Sequence, residues 1–117
     1  MREKEFNVEH KDGYLWITLP DGVNMDNYVP LEKSIESFLP GNPRDVVIDL
    51  GKTKTLYSSG FGMLIRLKKR IEEYNSRSFL VNVSPRLLEA LESVGMEKLF
   101  PMFDSEKSFR DATGATD

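Results

Sequence analysis

The sequence contains no cysteine, a single histidine and no excess of positive charge, and each of these scarcities removes a class of function. Without cysteine, disulfides, thiolate catalysis and cysteine-ligated metal sites are excluded. The one histidine, His10, and carboxylates scattered without metal-ligand spacing lead us to expect no metal and no cofactor. The net charge of −3 lacks the basic footprint of a general nucleic-acid-binding protein, so we expect no nucleic-acid partner.

Long hydrophobic runs are absent as well. No apolar stretch approaches the roughly 18 to 20 residues of a membrane-spanning helix, and Met1–Glu5 lacks the apolar core of a signal peptide. We therefore expect a cytoplasmic protein without membrane contact. What is present is a chain of 117 residues, 39% hydrophobic and 30% charged, which is typical of one globular domain. We expect this domain to cover residues 1–112 and to be followed by a flexible tail over residues 113–117.

Alternating apolar residues predict a β-hairpin at the start of the chain, with its turn at Asp12-Gly13. A helix follows near Asn27 and Pro30 and ends at the breaker Pro40–Pro43. The later elements are predicted to be strand 46–50, a helix that begins near Ser59, strand 79–83, a helix between Ser84 and Gly95, an edge strand 100–103 and a helix 105–111. Strands that alternate with helices predict an α/β fold, with a mostly parallel sheet of four to five strands joined to the hairpin.

The most informative stretch lies where strand 46–50 is followed by the most amphipathic helix, and it contains Ser58, Ser59, Gly60 and Gly62. A helix N-terminus collects N–H donors and positive dipole, so this place suits an anion, including a phosphate attached to one of the serines. Helix capping by serine, with Ser59 as the expected cap, and glycines that permit tight packing explain the same residues. Two glycines in a first turn cost about 0.5 to 1 kcal/mol each relative to alanine, so their bareness must serve packing or the approach of another molecule.

Catalytic motifs are missing around these serines. There is no G-x-S-x-G elbow, and the only histidine available as a base is His10. The pair Gly60-x-Gly62 lacks the third glycine of a dinucleotide fingerprint and the Gly-Lys-Ser/Thr of a P-loop. We therefore expect no enzyme activity, and a small hydrolase that uses Ser58 is the remaining catalytic alternative. A basic cluster on the same helix is expected to be a solvated face or a protein contact, and consists of Arg66, Lys68, Lys69 and Arg70.

Taken together, these residues resemble the STAS domain family, and most closely its single-domain bacterial anti-sigma factor antagonists. The characteristic stretch of that family is an apolar strand ending in Asp-Leu, a short polar connection, and Asp-Ser-Ser/Thr-Gly-x-Gly at the start of a helix. Here the two parts read Val47-Ile48-Asp49-Leu50 and Tyr57-Ser58-Ser59-Gly60-Phe61-Gly62. The resemblance runs over nearly the whole chain. It implies a STAS fold, with the helices packed mainly on one face of the sheet.

The resemblance also implies a function, which is partner switching. In that family the unphosphorylated antagonist binds an anti-sigma factor that is often also a histidine-kinase-like serine kinase. Phosphorylation of the serine that corresponds to Ser58 releases the antagonist, and a metal-dependent serine phosphatase restores it; Ser59 is the runner-up. The protein is expected to be a monomer or a weak homodimer. Met25 and Tyr28 are candidate apolar anchors, and the contact surface is expected to include Asn24, Met25, Tyr57, Ser59, Gly60, Phe61 and Gly62.

One departure from the family pattern bears on this function. The acidic residue that usually precedes the phosphoacceptor is Tyr57 here, and Asn24 stands near a second acidic position of the family. The alternative function is a STAS scaffold subunit that is not phosphorylated and that partners a transport ATPase or another regulator.

Overall fold

The computed structural model describes residues 6–114. Within them, five strands form the main sheet in the order β1-β2-β4-β6-β7, and two short strands, β3 and β5, pair with each other. The strands are β1 Asn7–His10, β2 Tyr14–Thr18, β3 Gly22–Val23, β4 Asp45–Asp49, β5 Thr55–Leu56, β6 Arg77–Val81 and β7 Met102–Phe103. The helices are α1 Tyr28–Glu36, α2 Ser58–Glu73, α3 Pro85–Ser93 and α4 Glu106–Thr113.

The main sheet is mixed, and the predicted fold class is confirmed. Strands β1 and β2 form the antiparallel hairpin, with Val8 opposite Ile17. At its turn Gly13 has φ of +91°, a conformation that favours glycine. The other neighbours in the sheet are parallel, so Ile17, Ile48 and Leu80 lie side by side on adjacent strands. The C-terminal ends of the parallel strands therefore lie at the same end of the sheet. The chain continues from that end of β4 toward α2.

The larger hydrophobic core lies between one face of the sheet and the helices α1, α2 and α3. Ile48 and Leu80 on this face are buried in one cluster with Ile35 of α1, Leu64 of α2 and Leu91 of α3. In α2 the buried positions recur at the helical spacing, because the helix turns the same side toward the sheet once every three or four residues. Three helices thus cover one face, as the family resemblance implies.

The opposite face of the sheet carries a smaller and largely aromatic cluster. It contains Tyr14, Trp16 and Phe79 from the strands, and the helix that covers it is α4. Phe109 of α4 lies with its ring centroid 5.1 Å from that of Tyr14 and 5.2 Å from that of Phe79. The Tyr14 hydroxyl donates a hydrogen bond of 2.7 Å to Glu106 at the start of α4. This face therefore depends on one helix of eight residues.

Helix ends follow the predicted chemistry in the second half of the chain. The Ser84 hydroxyl oxygen accepts a hydrogen bond of 3.2 Å from the backbone N–H of Leu87, and Gly95 follows α3 with φ of +76°. The last helix is longer than the predicted span 105–111, since it runs to Thr113 and is closed by Gly114 with φ of +77°. Of the expected tail, residues 115–117 lie outside the described residues.

The small sheet of β3 and β5 is not anticipated by the sequence pattern. Each strand has two residues, too few to show alternation, and Val23 lies beside Leu56 in a parallel register. The backbone N–H of Tyr57 extends the ladder by donating to the Val23 carbonyl at 3.1 Å. This pairing holds the chain before α1 against the chain before α2.

A buried carboxylate lies at the opposite end of the main sheet, where β4 and β6 begin. The sequence pattern does not reveal it either. The side chain of Asp45 is fully buried and accepts hydrogen bonds from Arg77 Nε at 2.7 Å and Nη2 at 3.0 Å. These hydrogen bonds raise the pKa of Arg77. Over residues 6–114, no helix combines the length and the apolar character needed to cross a membrane.

Candidate functional site

The candidate site is the entrance of α2, where Ser58 is the first helical residue and is exposed. The preceding residue, Tyr57, has the extended backbone of an N-cap, with φ of −90° and ψ of 179°. Its carbonyl oxygen accepts hydrogen bonds from the N–H groups of Gly60 at 2.8 Å and Phe61 at 3.0 Å. No side chain caps this helix, so its first N–H groups and the positive end of its dipole face the surroundings of Ser58.

Ser59 differs from Ser58 in where its hydroxyl lies. Its Oγ is buried and has no hydrogen-bond partner within the described part of the chain. The expectation that Ser59 caps α2 is therefore wrong. The helix begins at Ser58, close to the predicted start, and the hydrogen bond from the Tyr57 N–H to the Val23 carbonyl holds Tyr57, not a serine, in the N-cap conformation. Of the two adjacent serines, only Ser58 is exposed to a modifying enzyme.

The two glycines near the start of α2 differ in whether packing requires the absence of a side chain. Gly60 is buried, and a Cβ there would lie 3.0 Å from a methyl carbon of Leu56 and 3.2 Å from the backbone oxygen of Val23. Its missing side chain lets α2 pack against the small sheet. A Cβ at Gly62 would meet only Nη1 of Arg66, at 3.2 Å. Gly62 is therefore not required by packing against the sheet.

Three large apolar side chains are exposed around the entrances of α1 and α2. The exposed fractions are 81% for Met25, 56% for Tyr57 and 44% for Val29. The ladder of β3 and β5 brings the loop that carries Met25 beside the residue that precedes Ser58. An exposed apolar group next to a polar helix entrance is typical of a surface that binds another protein.

The loop before α1 is shaped by two asparagines. Asn24 Oδ1 accepts a hydrogen bond of 2.8 Å from the backbone N–H of Asp26. Asn27 Oδ1 accepts one of 2.9 Å from the N–H of Asn24, while its amide nitrogen donates one of 2.9 Å to the Gly22 carbonyl. Asn24 is thus half-buried and engaged in its own loop. The role of Asn27 in bracing the loop has a sequence signal only in the general preference of asparagine for turns.

Phe61 and Tyr28 are less accessible than the contact surface implied by the resemblance requires. Both are half-buried and pack against the larger core. Within the expected surface, the exposed members are Met25 and Tyr57, which lie near the exposed phosphoacceptor candidate Ser58, whereas Gly60 lies in the interior.

A charged pair beside the site has no clear signal in the sequence. Arg66 on α2 donates to both carboxylate oxygens of Glu32 on α1, from Nε at 2.9 Å and from Nη2 at 2.8 Å. The guanidinium carbon lies 5.5 Å from the centre of the Tyr28 ring. These hydrogen bonds raise the pKa of Arg66. The basic cluster is therefore not simply a solvated face, since Arg66 is held in place by α1.

The geometry gives no support to a hydrolase. His10 pairs with Leu15, which lies beside Val46 at the start of β4, whereas Ser58 follows the other end of that strand. The His10 ring lies against Phe38, with their centroids 5.7 Å apart. Throughout residues 6–114, no group of three or more histidine, aspartate or glutamate side chains is placed to hold a metal ion.

Comparison of the sequence with known proteins identifies one family and a relative. The model of the STAS domain family matches residues 5–109. The chain is 27% identical over 104 residues to BtrV of Bordetella bronchiseptica, which is named as a candidate anti-sigma factor antagonist. The aligned part covers 89% of this chain and 90% of BtrV.

Comparison of structures identifies the same fold. A candidate anti-sigma factor antagonist from Thermotoga maritima matches with a TM-score of 0.85 at 15% identity, covering 96% of this chain and 97% of that one. The phosphorylated form of SpoIIAA, a cell fate determinant of Bacillus, matches with a TM-score of 0.70 at 18% identity, covering 92% and 97%. At such identities, the likeness shows a shared fold and nothing more specific.

Proposed function

Because the chain belongs to the STAS domain family, we propose that it is an anti-sigma factor antagonist that works by partner switching. In the unphosphorylated state it binds an anti-sigma factor that is also a histidine-kinase-like serine kinase. Phosphorylation of Ser58 releases it, and a metal-dependent serine phosphatase restores binding. The observation that carries the proposal is the exposed hydroxyl of Ser58 at the uncapped entrance of α2, beside the exposed side chains of Met25 and Tyr57.

The physical basis of the switch is the difference between the free protein and the complex. A phosphate adds about −1.5 to −2 charges and three acceptor oxygens. The dipole and free N–H groups of α2 favour that charge, so the free protein keeps its fold. In a complex, the same phosphate loses water against the partner, and an unpaired buried charge costs several kcal/mol. A loss of about 3 to 4 kcal/mol weakens binding by a few hundredfold.

Two features of related proteins support the proposal. BtrV, the relative from Bordetella bronchiseptica, is named as a candidate anti-sigma factor antagonist. SpoIIAA, which has the same fold, is described in a phosphorylated form. The proposed site of action is the cytoplasm, where sigma factors and ATP are available.

Binding to the anti-sigma partner tests the proposal. The partner is first isolated with the Ser58→Ala variant as bait, which cannot be phosphorylated at this position, and is identified as a histidine-kinase-like ATPase by mass spectrometry. Ser58→Ala is then expected to bind as tightly as the wild type, and Ser58→Asp to bind at least tenfold more weakly, as measured by calorimetry. A negative charge at the entrance of α2 should have this effect because it is desolvated in the complex.

Asn75→Asp is the matched control for the added charge. Asn75 is exposed just beyond the far end of α2 and has φ of 62°, a conformation that aspartate also tolerates. This variant should bind like the wild type. Equal binding by Ser58→Ala and Ser58→Asp would contradict the phosphoswitch.

The alternative, a scaffold subunit that is not phosphorylated, is favoured by one observation. Tyr57 occupies the position before the phosphoacceptor at which the family usually has an acidic residue. Mass spectrometry of the protein from cells separates the two functions, because phosphate on Ser58 requires a kinase. Its absence under all growth conditions, together with tight binding by Ser58→Asp, would favour the scaffold.

A further inference from the structure

One nitrogen of the Arg66 guanidinium group takes no part in the ion pair with Glu32. Nε and Nη2 both donate to the carboxylate of Glu32, which leaves Nη1. Nη1 has no hydrogen-bond partner within residues 6–114, although it lies over the helix surface, 3.2 Å from where a Cβ of Gly62 would be. Arg66 therefore holds two donor hydrogens directly above a residue that has no side chain.

This open donor lies over Gly62, one helical turn closer to Ser58 than the backbone of Arg66. Ser58, Gly62 and Arg66 follow one another at intervals of four residues on α2, and such neighbours have Cβ atoms about 5–6 Å apart. Helical side chains lean toward the N-terminus, so Arg66 extends toward Ser58 and reaches Gly62. Ser58 lies one further turn toward the N-terminus, and a phosphate on its hydroxyl would extend acceptor oxygens beyond Oγ. Any side chain at position 62 would occupy the space between these oxygens and Arg66.

The guanidinium group is also held in advance. Its fork on Glu32 and its position over the Tyr28 ring fix its plane, so little freedom is left to lose when another ligand arrives. Arginine pairs with phosphate through strong charge-assisted hydrogen bonds. The hydrogen bonds to Glu32 raise the pKa of Arg66, so the group stays cationic whatever the charge of the phosphate.

We propose that Arg66 is the charge partner of phosphoserine 58, and that it reaches the phosphate across Gly62 while it keeps its hold on Glu32. This inference rests on the proposed function, since it concerns the same phosphate. In this contact Gly62 keeps the path between Arg66 and the phosphate open, a role that packing does not give it. The contact is available to Ser58 and not to Ser59, whose hydroxyl is buried. The proposal is also consistent with Tyr57, because this chain has a neutral residue before the phosphoacceptor and supplies a cation two helical turns further along α2.

The second ionisation of the phosphate measures this contact directly. Phosphoserine is incorporated at position 58 by genetic code expansion, so that no kinase is needed, and the phosphate is titrated by 31P NMR. A nearby cation favours the dianion and lowers the midpoint of the titration. In Arg66→Gln the midpoint should rise by roughly half a pH unit, as expected for the loss of a unit charge a few ångströms away in a solvated site.

Two controls separate the contact from general effects. Lys69→Gln removes the same charge from the same helix, but Lys69 lies eleven residues from Ser58, about 16 Å along the axis and beyond the screening length, so the midpoint should barely change. The double variant Glu32→Gln with Arg66→Gln removes the ion pair together and leaves no unpaired carboxylate beside the phosphate. Its midpoint should still rise relative to that of Glu32→Gln alone. Thermal unfolding of the unphosphorylated variants checks that each is folded.

The outcomes distinguish this inference from the proposed function. If the midpoints of Arg66→Gln and of the double variant move no more than that of Lys69→Gln, Arg66 is not the charge partner, whatever Ser58→Asp does to binding. If the midpoint rises as expected but Ser58→Asp still binds the anti-sigma partner tightly, the contact exists and the phosphoswitch is wrong.

Discussion

At the scale of single residues, replacing Gly60 or Gly62 by alanine is expected to change the free energy of unfolding in opposite directions. Gly60→Ala should destabilise the protein by about 1 to 3 kcal/mol, because the new Cβ presses on the Val23 backbone oxygen and the Leu56 side chain. Gly62→Ala should stabilise it by up to about 0.5 to 1 kcal/mol, since alanine is the better helix former and the new Cβ meets only Nη1 of Arg66, which needs to move by no more than a few tenths of an ångström. Chemical denaturation of both variants measures the difference, and effects of the same sign would contradict it.

A second prediction at this scale concerns the inward hydroxyl of Ser59. Ser59→Ala should leave the free energy of unfolding unchanged or slightly raised, because it removes a buried polar atom that has no partner among the described residues. Ser84→Ala is the comparison, and should cost about 1 kcal/mol because the Ser84 hydroxyl caps α3. Equal losses in the two variants, measured by urea unfolding, would show that Ser59 has a stabilising bond after all.

At the scale of elements, α4 alone covers the aromatic face of the sheet. Phe109→Ala should therefore cost about 3 to 5 kcal/mol, as expected for a large buried aromatic side chain. Trp16 is the only tryptophan and lies in the same cluster, so its fluorescence should shift to longer wavelength as water enters. The control is Phe38→Ala, which removes a half-buried ring from the other face and should leave the Trp16 emission unchanged. An unchanged emission in Phe109→Ala would mean that α4 does not seal this face.

At the scale of the whole molecule, the arrangement of the main sheet and of its helices follows from local patterns. Short apolar runs gave the strands, stripes at the helical spacing gave the helices, and turn residues such as Gly13 and Gly95 gave their limits. The alternation of strands and helices then left few possible topologies. The position of the candidate site could be predicted for the same reason, since Ser58 follows a strand and opens a helix.

What could not be predicted depends on residues far apart in the chain. The ladder of β3 and β5 is too short to show a period, and it places Tyr57 in the N-cap position of α2, which is why the cap assigned to Ser59 was wrong. The burial of Asp45 depends on Arg77, 32 residues away, and the position of Arg66 on Glu32, 34 residues away. No local pattern specifies such pairs.

The ladder of β3 and β5 also connects two parts of the candidate site. Met25 lies in the loop before α1 and Ser58 begins α2, yet the strands before them are hydrogen-bonded to each other, and Gly60 packs closely against Val23 and Leu56 of these strands. The backbone connection between the loop that carries Met25 and the entrance of α2 therefore runs through this small sheet.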